Sequence, residues 1–155
     1  MKSILFISSL CILFSCSSQK NKTEIIRLHH INAIIIGGDE VEITLIPKKS
    51  KRKCPVIVKI FRDGESYDRK RISYEKYQQI RDTILTISQE KINIPQNENY
   101  LIAILDGGSN SIYFKKDTIE RKFYTYAIIE KYHGSFYRAA ELILNSAKMD
   151  IRDID

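Results

Sequence analysis

Residues 134–147, Gly134-Ser135-Phe136-Tyr137-Arg138-Ala139-Ala140-Glu141-Leu142-Ile143-Leu144-Asn145-Ser146-Ala147, carry the clearest structural pattern in the chain. Phe136, Ala139, Ala140, Ile143, Leu144 and Ala147 stand at i, i+3, i+4, i+7, i+8 and i+11. That spacing gathers them on one side of an α-helix beginning at Gly134-Ser135. A helix with a single apolar face is stable only when it covers an equally one-sided partner. The sequence upstream supplies one.

Phe123-Tyr124-Thr125-Tyr126 closes a strand over about 119–126. Lys115-Lys116-Asp117 turns it back on a strand at 111–114, which Asp106-Gly107-Gly108 in turn connects to an apolar strand at 100–105. Segment 127–133 fits either strand or helix. A second one-faced helix begins at Ser73, a good N-cap, with Glu75 in its first turn and Tyr77, Ile80, Ile84 and Ile87 along one side. Before it, Val56, Val58 and Ile60 alternate with other residues, as do Val41, Ile43 and Leu45 with Glu42 and Thr44, the period of half-buried strands. Asp63-Gly64 and Gly37-Gly38-Asp39 are turns, and apolar residues from Ile25 to Ile36 make the first strand. The fold class is therefore α+β. The expected form is an antiparallel sheet of about six strands in two three-strand meanders, each followed by one amphipathic helix. Residues 24–149 form the single domain, and 150–155 read as a polar, frayed tail.

Composition agrees with a packed domain. Apolar residues make up 43% and charged residues 28%, which excludes an intrinsically disordered chain. The 28 isoleucines favour pleated, half-buried surfaces. Formal net charge is +6, but it is concentrated: residues 48–71 hold ten Lys and Arg against three Asp and Glu. The densest part is Lys48-Lys49-Ser50-Lys51-Arg52-Lys53, and Pro55 disfavours helix at Cys54, so the run is an extended or turn-like connection between strands. Lys48, Lys49, Lys51, Arg52 and Lys53 are the candidate anion-binding residues, set against the plainer reading of a solvated loop. The nine tyrosines suggest sugar binding on the one hand and core packing on the other.

Catalytic and metal motifs are missing from the sequence. It contains no Gly-x-Ser-x-Gly, His-Glu-x-x-His or Cys-x-x-Cys. His29 and His30 are neighbours, so in a strand they point to opposite faces and cannot easily hold one ion, and His133 is distant. Asp106-Gly107-Gly108-Ser109-Asn110 lacks the acidic spacing of a calcium loop and the Lys-Ser/Thr of a phosphate loop, so it reads as a turn. No catalytic residue, metal or cofactor is assigned.

The N-terminus carries an address. Met1-Lys2 is a positive start, and Ile4 to Phe14 is an apolar run of eleven residues, too short for a bilayer span of about 20. Leu13-Phe14-Ser15-Cys16 follows, then the polar run Ser17 to Thr23. This segment resembles the lipobox signal of bacterial lipoproteins, with Phe14 where a smaller residue is commoner. The resemblance implies cleavage after residue 15, lipidation at Cys16, N-acylation and a tether over 16–23. It further implies an outer-membrane anchor facing the periplasm, because Ser17 rather than Asp follows the cysteine. Beyond the signal, the second half resembles small envelope proteins of α+β type, which implies no activity. Cys54 is left without an intramolecular disulfide partner, which points to burial or, less commonly, an intermolecular bond, and burial is expected.

The expected function is that of a lipid-anchored cell-envelope protein with a non-catalytic binding or structural domain. Its partners would be the membrane through Cys16 and an anionic lipid, glycan or envelope protein, with nucleic acid excluded by the address. A periplasmic hydrolase or inhibitor without a recognisable motif is the alternative.

Overall fold

The computed structural model describes residues 24–32, 39–48, 54–92 and 108–154. Six strands, β1 (Glu24–Ile31), β2 (Glu40–Pro47), β3 (Val56–Arg62), β4 (Glu65–Ile72), β5 (Ser109–Lys116) and β6 (Ile119–Thr125), make one antiparallel sheet in the order β4-β3-β2-β1-β5-β6. Three α-helices, α1 (Tyr74–Leu85), α2 (Gln89–Ile92) and α3 (Glu130–Ala147), and a 3-10 turn at Ile151–Asp153 complete the described elements. The α+β class and the six-stranded antiparallel sheet are thus as the sequence leads one to expect.

The grouping of strands differs in one respect. The described strands divide into a four-strand meander, β1 to β4, and the hairpin β5–β6, which pairs through β5 with the opposite side of β1. β4 has no apolar alternation to read: Glu-Ser-Tyr-Asp-Arg-Lys-Arg-Ile is mostly exposed because it forms an edge of the sheet. Charged edge strands of this kind discourage pairing with other chains. The strand expected at 100–105 lies outside the described residues, as does the continuation of β1 past Asn32 toward Ile36.

The period-2 pattern decides which face is covered. Ile26 and Leu28 of β1, Val41, Ile43 and Leu45 of β2, Val58 and Ile60 of β3, and Ile112 and Phe114 of β5 form one buried surface. Against it pack Tyr77, Ile80 and Ile84 of α1 and Phe136, Ala139, Ala140, Ile143, Leu144 and Ala147 of α3, the face set by their helical spacing. Ser73 caps α1, accepting from the Lys76 amide at 3.2 Å. The ambiguous segment before α3 resolves into one helical turn, Glu130 to His133, set off by Gly134, whose φ of 39° and ψ of −104° interrupt the helix before it resumes.

Two edge strands send cations to helix ends. Lys70 of β4 donates its ammonium to the carbonyl of Ala147 at the end of α3. Arg121 of β6 reaches the Leu85 carbonyl at the end of α1 at 3.4 Å. Both place positive charge where the helix dipole is negative. Residues 150–154, expected as a frayed tail, instead form a capped 3-10 turn in which Ile151 and Ile154 are buried in the core. Their apolar side chains, not the surrounding acids and Arg152, decide the placement.

Candidate functional site

Helices cover one side of the sheet, and the residues of opposite parity form the other. Register aligns these residues in rows perpendicular to the strands. One row crosses all six strands: Arg69 of β4, Lys59 of β3, Thr44 of β2, Arg27 of β1, Tyr113 of β5 and Lys122 of β6. Arg69, Lys59 and Lys122 are exposed, Arg27 and Tyr113 are half-buried, and Thr44 is buried.

A second row runs beside it, from Phe61 through Glu42, His29 and Ser111 to Tyr124. Its acid partly neutralises the first row: Glu42 Oε1 lies 3.4 Å from Arg27 Nε and accepts from Thr44 Oγ1 at 3.0 Å. Lys115 pairs with Glu120 at 3.6 Å. No acid pairs with Lys59, Arg69 or Lys122 among the described residues. Lys59 and Arg69 are direct cross-strand partners, an arrangement that costs stability when both are cations. Lys122 Nζ sits 5.1 Å from the centre of the exposed Tyr124 ring. Residues of both rows line a shallow groove of about 550 Å³.

The basic run meets this sheet at one end. Lys48 follows β2 directly, and its amide donates to the Pro55 carbonyl at 2.9 Å, closing the base of the connection to β3. Lys49, Lys51, Arg52 and Lys53 lie outside the described residues, as does Cys16. Cys54, expected to be buried, is exposed: it lies before the start of β3, outside the alternating strand residues that face the core.

The histidines divide as strand geometry requires. His29 faces the side opposite the helices, with Nε2 2.6 Å from Glu40 Oε1. His30 faces the helices, buried, with Nδ1 2.8 Å from Asn110 Oδ1. Beside it Gly108, at φ 60°, leaves no room for a Cβ, which would stand 2.3 Å from the Ile31 carbonyl oxygen. His133 is buried against Thr125 and is far from both in the sequence. Among the described residues no group of three or more His, Cys, Asp and Glu comes together as a metal site.

Sequence reasoning found the basic connection but missed the row. Arg27, Lys59, Arg69 and Lys122 are scattered over nearly 100 positions, and only strand register brings them level. Alternation in β2 and β3 puts Thr44 and Lys59 on the polar side, and this was the available signal; Arg27 lies in a first strand that reads only as apolar. Comparison with family models, with curated proteins and with solved structures finds no match.

Proposed function

We propose that this chain is a lipid-anchored cell-envelope protein, acylated at Cys16 and non-catalytic, whose domain binds anionic components of the envelope. The observation that carries this reading is the position of the tether relative to the basic run. Ile26 stands opposite Leu45, so Glu24, where the tether enters the domain, comes level with Pro47, immediately before Lys48. Neighbouring strands lie about 4.8 Å apart. The lipid-bearing segment and the five cations of 48–53 therefore join the domain at the same end of the sheet.

Glu24 follows Cys16 by eight residue steps, a reach of at most about 29 Å. Lipid at Cys16 keeps that end of the sheet near headgroups, within range of a screened attraction that decays over roughly 8–10 Å. Each cation near an anionic surface contributes about 1 kcal/mol, and a basic cluster beside an acyl anchor is a familiar two-part attachment. The outer membrane, periplasmic side, is the proposed location, on the Ser17 argument.

The full chain should be recovered with acyl mass on Cys16 and partition into detergent, and Cys16→Ser should do neither. The lipid-free Cys16→Ser chain should sediment with vesicles of phosphatidylglycerol and phosphatidylcholine at low salt. Replacing Lys48, Lys49, Lys51, Arg52 and Lys53 with Gln in that background should abolish sedimentation and leave the melting temperature unchanged. A wild-type chain found unacylated would refute the anchor, and equal sedimentation by the Gln variant would refute the role of the basic run.

A further inference from the structure

The row across the face opposite the helices has a period. Its six positions read Arg69, Lys59, Thr44, Arg27, Tyr113, Lys122, one per strand. From Lys59 onward a cation stands on every second strand: β3, β1, β6. With strands about 4.8 Å apart, the positive charges recur about every 9.6 Å, over a track of about 24 Å from β4 to β6. Between them stand groups with hydroxyls, Thr44 and Tyr113.

Edge protection explains only part of this. Arg69 and Lys122 lie on the two edge strands, where charge prevents unwanted pairing. Lys59 and Arg27 do not: β3 and β1 are interior strands with partners on both sides. Placing Lys59 opposite Arg69 with no acid in the row works against the sheet. Only Arg27 has a carboxylate partner within the rows, Glu42 at 3.4 Å.

We infer that this face binds a linear acidic glycan that is charged on alternate sugars, lying across the strands. Two consecutive sugar rings match two strand spacings. The acids meet Lys59, Arg27 and Lys122, and the intervening neutral sugar meets Tyr113, whose ring and hydroxyl suit a surface that is apolar on its faces and polar at its rim. A polyanion charged on every unit places half its charges opposite Thr44 and Tyr113, where nothing neutralises them. The inference uses only the sheet face and stands apart from the anchor and the basic run.

The test is calorimetric titration of the full chain in neutral detergent at low salt. The probes are hyaluronan oligosaccharides (glucuronate on alternate sugars), oligogalacturonate (acid on every sugar), neutral dextran and an oligothymidylate. Hyaluronan should bind, weaken as salt rises, and bind more tightly than the other three. Lys59→Gln with Lys122→Gln, both exposed and without an acid partner among the described residues, should weaken it about tenfold, since charge complementarity supplies much of the contact. Gln at all five cations of 48–53 should change it less than about threefold. If the double variant melts early, Lys59→Gln alone serves, with a smaller loss expected. No hyaluronan binding, an equal or better fit of oligogalacturonate or oligothymidylate, or a loss confined to the 48–53 variant would each overturn the inference.

Discussion

The His133 ring is held between two groups that dictate where its proton sits. The Ile129 amide donates to Nδ1 at 2.9 Å, so in the neutral ring the hydrogen is on Nε2, which donates to Thr125 Oγ1 at 3.0 Å. Thr125 in turn gives its hydroxyl hydrogen to the Ala127 carbonyl at 2.8 Å. A second proton on Nδ1 would face the Ile129 N–H and break the chain of bonds. Burial accordingly lowers the His133 pKa from 6.5 to about 4. Between those values the unfolded chain binds the proton and the folded one does not, so stability rises with pH there. The contribution is complete above about pH 6.5 and is lost as pH falls toward 4, by roughly 3 kcal/mol at 1.36 kcal/mol per pKa unit. Urea unfolding at pH 7 and pH 4.5 should show this loss in the wild type and much less of it in His133→Gln. An equal loss in both would assign the acid sensitivity to other groups. None of this is legible in the sequence, where Thr125 and His133 are eight positions apart in a segment whose conformation is ambiguous.

Helix α3 ends on a residue that does not suit its conformation. Lys148 has φ 61° and ψ 39°, the left-handed region. Its amide bonds to the Asn145 carbonyl at 3.2 Å and that of Met149 to Leu144 at 3.0 Å, closing the last turn. Glycine is favoured at this position because a Cβ crowds the backbone. Lys148→Gly should raise stability by about 0.5–1 kcal/mol, read as a higher melting temperature; a lower one would mean that the lysine charge outweighs the strain. The helix itself was legible because its buried side chains recur at helical spacing. The strands were legible in proportion to their burial. β2 and β3 alternate clearly, whereas β4 shows only charge, and its register against β3 shifts between Ile60 and Phe61 besides. A strand that buries one side of its backbone and almost none of its side chains leaves no hydrophobic trace. The glycan face inherits that limit: each cation reads as ordinary surface until the ladders bring four of them into line.

The described residues share one core between the sheet and the helices on it, so damage at its centre should be felt throughout. Ile143 is fully buried on α3 among residues of the cluster that spans both layers. Ile143→Asp introduces a carboxylate with no partner there and should cost at least about 3 kcal/mol, removing the cooperative melt or lowering it steeply by circular dichroism. An unchanged melt would show that this helical face is not core. At this scale, class and layer arrangement followed from two periods in the sequence, 2 and 3.6. Strand order did not, because pairing of β1 with β5 joins residues 78 to 92 positions apart and no local pattern records it.

That central placement of β1 has a mechanical consequence. If the chain hangs from Cys16 as proposed, force on it enters the domain at Glu24, the start of a strand bonded on both sides, to β2 and to β5. Extracting it requires the rungs of two ladders to shear together, whereas a strand pulled from an edge and across its length peels open one rung at a time. Resistance to such a pull is set by the unfolding rate under load, not by equilibrium stability. Were the chain attached at its other end, tension would first meet the 3-10 turn at Ile151–Asp153, a much weaker grip. A domain hung in the proposed way, by its first strand from within its sheet, would stay folded while it is dragged.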